Sequence, residues 1–146
     1  MEKNFIRVRS IKDIVISSVL LISGCALVTL PDSDAINIAG FFIILTGLLL
    51  MFILKTAFKD ADTGELYTKK ERFFAQSKHQ QLKHALASPT HFCSTGENDG
   101  NTLRLDVYYN KQKIYIQLLE YVPYTYEPCT KFYEHNISNG AKFIHN

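Results

Sequence analysis

Two uncharged apolar runs lie close together near the start of the chain, and they limit what it can fold into more than any other feature. Ile14 to Leu30 gives 17 residues without a charge, and Ala35 to Leu54 gives 20. A membrane span needs roughly 20 apolar residues, with about 17 as the lower bound. Helices that are apolar on every side need cover all round, and a chain of 146 residues leaves too little to bury two of them. The runs therefore read as two spans. Charge placement agrees: residues 14–54 carry only Asp32 and Asp34, whereas residues 55–146 hold 22 of the 30 charged side chains. Seven glycines, four prolines and three cysteines exclude collagen-like, disordered and disulfide-stapled classes. A net charge of +2 excludes a nucleic-acid binder that relies on charge.

The break Pro31-Asp32-Ser33-Asp34 is predicted to be a turn. Pro31 stops the first helix, and Asp32, Ser33 or Asp34 caps the second. Four residues force an antiparallel hairpin. Lys3, Arg7, Arg9 and Lys12 precede the first span, Lys55 and Lys59 follow the second, and the link has no basic residue. The positive-inside rule then predicts a multi-pass inner-membrane protein with both termini cytoplasmic. Ser17 and Gly24 lie seven apart, as do Gly40 and Gly47. Folding about the turn sets Gly24 opposite Gly40 and Ser17 opposite Gly47, a seam of small residues that lets backbones approach.

The first span has a competing reading. Ile22-Ser23-Gly24-Cys25, behind a basic tail and an apolar run, resembles a bacterial lipoprotein signal-peptide box. Such a segment would be cut before Cys25 and the cysteine lipidated. Ala26-Leu27-Val28 speaks against it, because a polar tether is expected there.

Residues 1–13 thus read as a basic cytoplasmic tail, 14–59 as the transmembrane hairpin and 60–146 as a cytoplasmic domain. Asp62 with Glu65 has the form of a capping box, so a helix is predicted from Thr63 to Ala87, closed by Pro89. From His91 the period changes to two. Leu103, Leu105, Val107 and Tyr109 alternate with Arg104, Asp106 and Tyr108; beyond Asn110-Lys111, Ile114, Ile116 and Leu118 alternate with Tyr115, Gln117 and Leu119. Two alternating runs across a short Asn-containing turn predict a β-hairpin. The turn Gly96–Asn101 implies an earlier strand at His91–Thr95. Tyr124–Glu127 reads as an edge strand or loop between prolines, Thr130–Glu134 as a further strand and Asn136–Gly140 as a turn. The expected class is α+β: two apolar helices, then one helix and a three- to five-stranded antiparallel sheet.

Catalytic signatures are missing. No nucleotide-binding glycine loop, catalytic-serine elbow, HExxH or paired CxxC occurs, so the chain is expected to be non-enzymatic and to need no cofactor or metal. His91, Cys93, Cys129 and His135 follow no zinc spacing, and Asp60, Asp62 and Glu65 lack the offsets of a calcium loop. Aromatic placement stands out instead, with seven of eight tyrosines between Tyr108 and Tyr133. Alternation puts Tyr108, Tyr115, Arg104 and Gln117 opposite the leucines, on a polar-aromatic outer face suited to a partner. On that placement, serine at Tyr108 and Tyr115 should leave the domain folded. The expected function is that of an accessory, regulatory or immunity-type subunit whose partners are the lipid bilayer and either a protein or a second copy joined through the hairpin. The alternative is a membrane effector whose domain binds a small molecule or nucleotide and reorganises the hairpins.

Overall fold

A computed structural model of the chain describes residues 3–30, 33–93 and 95–144. The fold is α+β: two N-terminal apolar helices, a seven-stranded sheet, and two short helices against it. Its contacts divide the chain into a helical unit, Arg7–Ala57, and a sheet unit made of residues 3–6 and 58–144.

In the helical unit, α1 spans Ile11–Val28 and α2 spans Asp34–Ile53. Ser10 starts α1 with a capping box: its hydroxyl accepts from Asp13 N and the Asp13 carboxylate accepts from Ser10 N. Ser33 caps α2 by position, while Pro31 and Asp32 of the expected turn lie outside the described residues. Both helices are long and apolar enough to cross a membrane. Only one stripe of each is buried, holding Asp13, Ser17 and Gly24 in α1 and Gly40 and Gly47 in α2.

That stripe has two grades of contact. A Cβ on Gly24 would lie 2.8 Å from the Gly40 carbonyl oxygen, and one on Gly40 would lie 2.9 Å from the Gly24 oxygen. Backbone meets backbone there. Gly47 instead packs against Leu20 and Leu21, and a Cβ on it would find side chains at 3.2 Å. Gly47 meets Leu20 and Leu21 rather than Ser17, which lines a recess with Leu50, Met51 and Leu54, so the expected Ser17–Gly47 match is displaced by about one turn. Gly24→Ala and Gly40→Ala should each cost about 1–3 kcal/mol of hairpin stability, because neither backbone can give way. Gly47→Ala should cost less than about 1 kcal/mol, since leucine rotamers adjust and alanine favours the helix. Melting of the three variants in detergent checks the ranking.

The sheet is built of β1 (Phe5–Val8), β2 (Ala57–Asp60), β3 (Leu66–Phe74), β4 (Leu103–Tyr109), β5 (Lys113–Val122), β6 (Thr125–Pro128) and β7 (Tyr133–Asn136). Strand order is β1-β2-β3-β4-β5-β6, with β7 on the other half of β5. The pairs β3–β4, β4–β5, β5–β6 and β5–β7 are antiparallel. The β4–β5 hairpin matches the alternation in the sequence, turning at Asn110, whose side chain accepts from Gln112 N and Lys113 N.

Several expectations are corrected. The segment Thr63–Ala87 is not one helix. Leu66–Phe74 is strand β3, and only His79–Ala87 is helical (α3), after a 3₁₀ turn at Gln76–Lys78. The apparent capping box at Asp62 and Glu65 belongs to the β2–β3 turn, where the buried Asp60 carboxylate accepts from Asp62 N and the Thr63 hydroxyl. Charge misled the reading of β3, because Arg72 is a core residue: its guanidinium donates to the carbonyls of Lys142 and Phe143 at 3.2 Å and pairs with Glu97. Pro89–His91 is a 3₁₀ turn rather than the start of a strand at His91–Thr95. Ile137–Ile144 is a helix, α4, where a turn was expected. The sheet has seven strands, not three to five, partly because Phe5–Val8 of the basic tail is β1 and Ala57–Asp60 is β2.

One sheet face carries the main core. Phe74, Leu103, Leu105, Val107, Ile114, Ile116 and Leu118 pack beneath Leu82, Ala85 and Leu86 of α3, Phe92, and Phe143 of α4. Leu82, Ala85 and Leu86 follow helical spacing, so α3 offers one apolar stripe. Gly140 lets α4 lie directly on Ile114, whose side chain would overlap any Cβ at that position.

Candidate functional site

The second sheet face carries the residues singled out for recognition, and it is divided into a covered and an open half. In the covered half Phe58, Tyr67, Tyr108 and Tyr115 form a second apolar cluster, joined by Phe5 and Phe132. Phe5 stacks on Tyr108 with ring centroids 4.1 Å apart and planes 5° from parallel, and it meets Tyr67 edge-on at 5.4 Å. Tyr108 is 9% exposed and Tyr115 2%. The expectation that these tyrosines form an outer face is therefore corrected: they do oppose the leucines, but β1 and β2 bring phenylalanines over them. Burial pushes the hydroxyl pKa of Tyr67, Tyr108 and Tyr115 upward, so all three stay neutral.

A buried ion pair closes this half. Lys3 Nζ donates to Asp60 Oδ2 at 2.6 Å, with both side chains sealed from solvent. Burial alone would raise the Asp60 pKa. The Lys3 ammonium, with the N–H of Asp62 and the Thr63 hydroxyl, outweighs it and holds the carboxyl below its ordinary value. The same hydrogen bond raises Lys3 against its own burial.

The open half begins at Asp106. Its carboxylate lies 2.7 Å from Lys69 Nζ and 2.8 Å from Arg104 Nε. Burial opposes the charge of Lys69, yet Asp106 and Glu71 raise its pKa, and its ammonium also sits over the Tyr108 ring. Arg104 continues outward with its guanidinium 4.6 Å from the Tyr126 centroid. Tyr126 meets Tyr121 at 5.2 Å and Phe73 at 6.2 Å, and donates its hydroxyl to Asn101 O at 2.6 Å. Asn101, Thr102, Tyr121 and Tyr126 line a shallow recess beside this stack. Gln117 lies on the same face with its amide bonded to Thr130 O at 3.0 Å.

Of the four residues expected to bind a partner, Arg104 and Gln117 thus lie on the partly open half, and Tyr108 and Tyr115 lie beneath the cover. Sequence reasoning missed Phe73, Tyr121 and Tyr126. The available signal was the Tyr121-Val122-Pro123-Tyr124-Thr125-Tyr126 run, in which a tight turn pairs Tyr121 with Tyr126. Tyr124 sits at that turn with φ +76° and is 97% exposed, a backbone region that disfavours side chains with a Cβ.

The residues weighed for metal or nucleophilic chemistry are scattered. Cys93 Sγ meets the Thr95 hydroxyl, His135 Nε2 meets Leu86 O, and Cys129 Sγ lies 3.9 Å from His79. Burial and the nearby Glu120 push the Cys129 thiol up, the opposite of an activated nucleophile. The molecule is an α+β protein with two apolar helices and a half-covered aromatic sheet face. The chain matches no family model, no curated protein and no solved structure.

Proposed function

We propose that the chain is a non-enzymatic membrane protein whose sheet domain binds a partner protein on the cytoplasmic side. The observation that carries the binding role is the open stack of Phe73, Arg104, Tyr121 and Tyr126, extended by the fully exposed Tyr124. Tyrosine and arginine dominate binding hot spots, because each offers contact area with polar tips. These side chains hold one another in place, so little freedom is lost on contact.

Three features support the membrane location. Outside their mutual stripe α1 and α2 expose large apolar side chains, including Ile14, Val19, Ile22, Phe41, Leu49 and Phe52. The hydroxyls of Ser17, Ser23, Thr29 and Thr46 donate back to carbonyls three or four residues earlier, as lipid requires where water is missing. Strand β1 precedes α1, β2 follows α2, and the two belong to one sheet, so both ends of the hairpin return to the same side. With the basic residues concentrated at those ends, that side is cytoplasmic. The same arrangement disfavours cleavage before Cys25, which would strip Lys3 and Phe5 from the covered half.

Two measurements test this reading. In intact cells, a membrane-impermeant maleimide should label a Ser33→Cys variant and miss Cys93 and Cys129. Cys93 is exposed and its hydrogen bond with the Thr95 hydroxyl lowers its thiol pKa, so its silence is informative. Labelling of Cys93 without position 33 would overturn the orientation. In an affinity capture from detergent, Tyr121→Ser/Tyr126→Ser should lose partners held by the native chain while melting within about 1 kcal/mol of it. Retention of every partner would remove the stack from the proposal. A second reading, a planar ligand stacked in the Tyr121–Tyr126 recess, is favoured by Arg104 beside it. In that case purified protein would bind nucleotides without any partner.

A further inference from the structure

The open end of the helix hairpin carries positive charge that its own unit neutralises only in part. The Asp13 carboxylate accepts from Thr56 N at 2.9 Å and from the Thr56 hydroxyl at 2.7 Å, and the Ser10 and Thr56 hydroxyls lie 3.0 Å apart. These bonds hold residues 9–13 beside residues 54–56. Arg9, Lys12 and Lys55 are thereby gathered at one end, and all three are exposed. The carboxylate closest in sequence, Asp13, offsets one of these charges without pairing with any of the three. Asp13 is 3% exposed and engaged with Ser10 N and Thr56. Among the described residues, the ion pairs involve none of these three cations.

Arg9 and Asp13 line, with Ile14, Ser17, Leu50, Met51 and Leu54, a small recess of about 30 Å³ between the helices. Cations at the end of helices that expose apolar side chains match an amphiphile with an anionic head. We propose that this end of the hairpin binds an anionic phospholipid, its phosphate against Arg9, Lys12 and Lys55 and an acyl chain along the exposed apolar side chains of the helices, such as Ile14 and Met51. The proposal rests on the membrane reading above and names the lipid class that the hairpin selects. Charge complementarity and continuity with the uncovered apolar helix faces decide the occupant. A zwitterionic lipid also offers a phosphate, but its ammonium cancels most of the attraction.

The test uses the full chain reconstituted in phosphatidylcholine vesicles, with trace spin-labelled phosphatidylglycerol or spin-labelled phosphatidylcholine. The motionally restricted fraction of each probe gives their relative affinity for the protein. The native chain should prefer phosphatidylglycerol by about tenfold, since each basic residue near the surface is worth several-fold. The preference should fall to within about twofold in Arg9→Gln/Lys12→Gln/Lys55→Gln, or for the native chain in about 0.5 M NaCl, an arm that does not depend on the variant folding. Equal affinities in the native chain, or a preference that survives both changes, would overturn the proposal while leaving membrane insertion intact. A preference abolished by inorganic phosphate at matched ionic strength would assign the collar to free phosphate instead and overturn the lipid assignment. If neither probe shows a restricted component, the chain is not in the bilayer and the membrane reading itself fails.

Discussion

Exchanging Tyr108 and Tyr115 together for serine is expected to unfold the sheet unit. Each ring lies inside the cluster of Phe5, Phe58, Tyr67 and Phe132, with Phe5 flat against Tyr108. Deleting a buried aromatic side chain costs about 3–5 kcal/mol, and a domain of this size holds roughly 5–15 kcal/mol in total. The double variant should therefore melt with Leu105→Ala/Ile116→Ala, which empties the main core, and well below Tyr121→Ser/Tyr126→Ser. Circular dichroism melts of the three pairs decide the matter. A Tyr108/Tyr115 variant as stable as the native chain would mean that β1 does not cover these rings.

Replacing Lys3 by methionine should cost about as much as losing one of those rings and also reverse a pH dependence. Asp60 is fully buried, and Lys3 is its sole cation within hydrogen-bonding distance among the described residues. Breaking a buried pair from one side costs about 3 kcal/mol, because the remaining charge has lost both water and partner. In the native chain the Asp60 pKa is depressed below 3.8, so its contribution is present above that value and is lost as the pH falls through the folded value. Lys3 is raised above 10.5, so its contribution is present below that value and is lost only in stronger alkali. Near neutrality the native chain should thus show no pH dependence from this pair. In Lys3→Met, burial raises the Asp60 pKa, and stability should increase as the pH is lowered from about 7 to about 5. Melting temperatures at the two pH values measure this. A flat profile in the variant would show that the carboxylate does not depend on Lys3.

The helices, the β4–β5 hairpin and the approach of Gly24 to Gly40 were legible because each rests on local pattern: an unbroken apolar run, strict alternation, or fixed spacing. Strand β3 was not legible. Its buried positions include Arg72, and Lys69 is enclosed between Asp106 and Glu71, so charge occupied places where a period-two pattern needs apolar residues. Helix α4 was hidden by Asn136, Ser138, Asn139 and Gly140, which favour a turn on composition; the contact of Gly140 with Ile114 explains why a helix sits there. For the candidate site, parity correctly put Tyr108 and Tyr115 opposite the leucines. It was silent on what lay above them, because that cover comes from Phe5, about a hundred residues away in sequence. Tertiary contact between distant segments leaves no periodicity to read.

Strand β1 has a consequence for how the protein is made. Lys3 and Phe5 leave the ribosome before both apolar helices, whereas Tyr67, Tyr108 and Tyr115 are synthesised only after them. At roughly 5–20 residues per second, the first strand waits several seconds for the rings that it will cover. On the membrane reading, a chain that threads only one helix leaves that strand stranded across the bilayer from its sheet. Its tyrosines then stay bare and Asp60 stays without its lysine. On the same reading such a chain would lack the stabilisation set out above, so insertion of both helices and completion of the sheet are coupled.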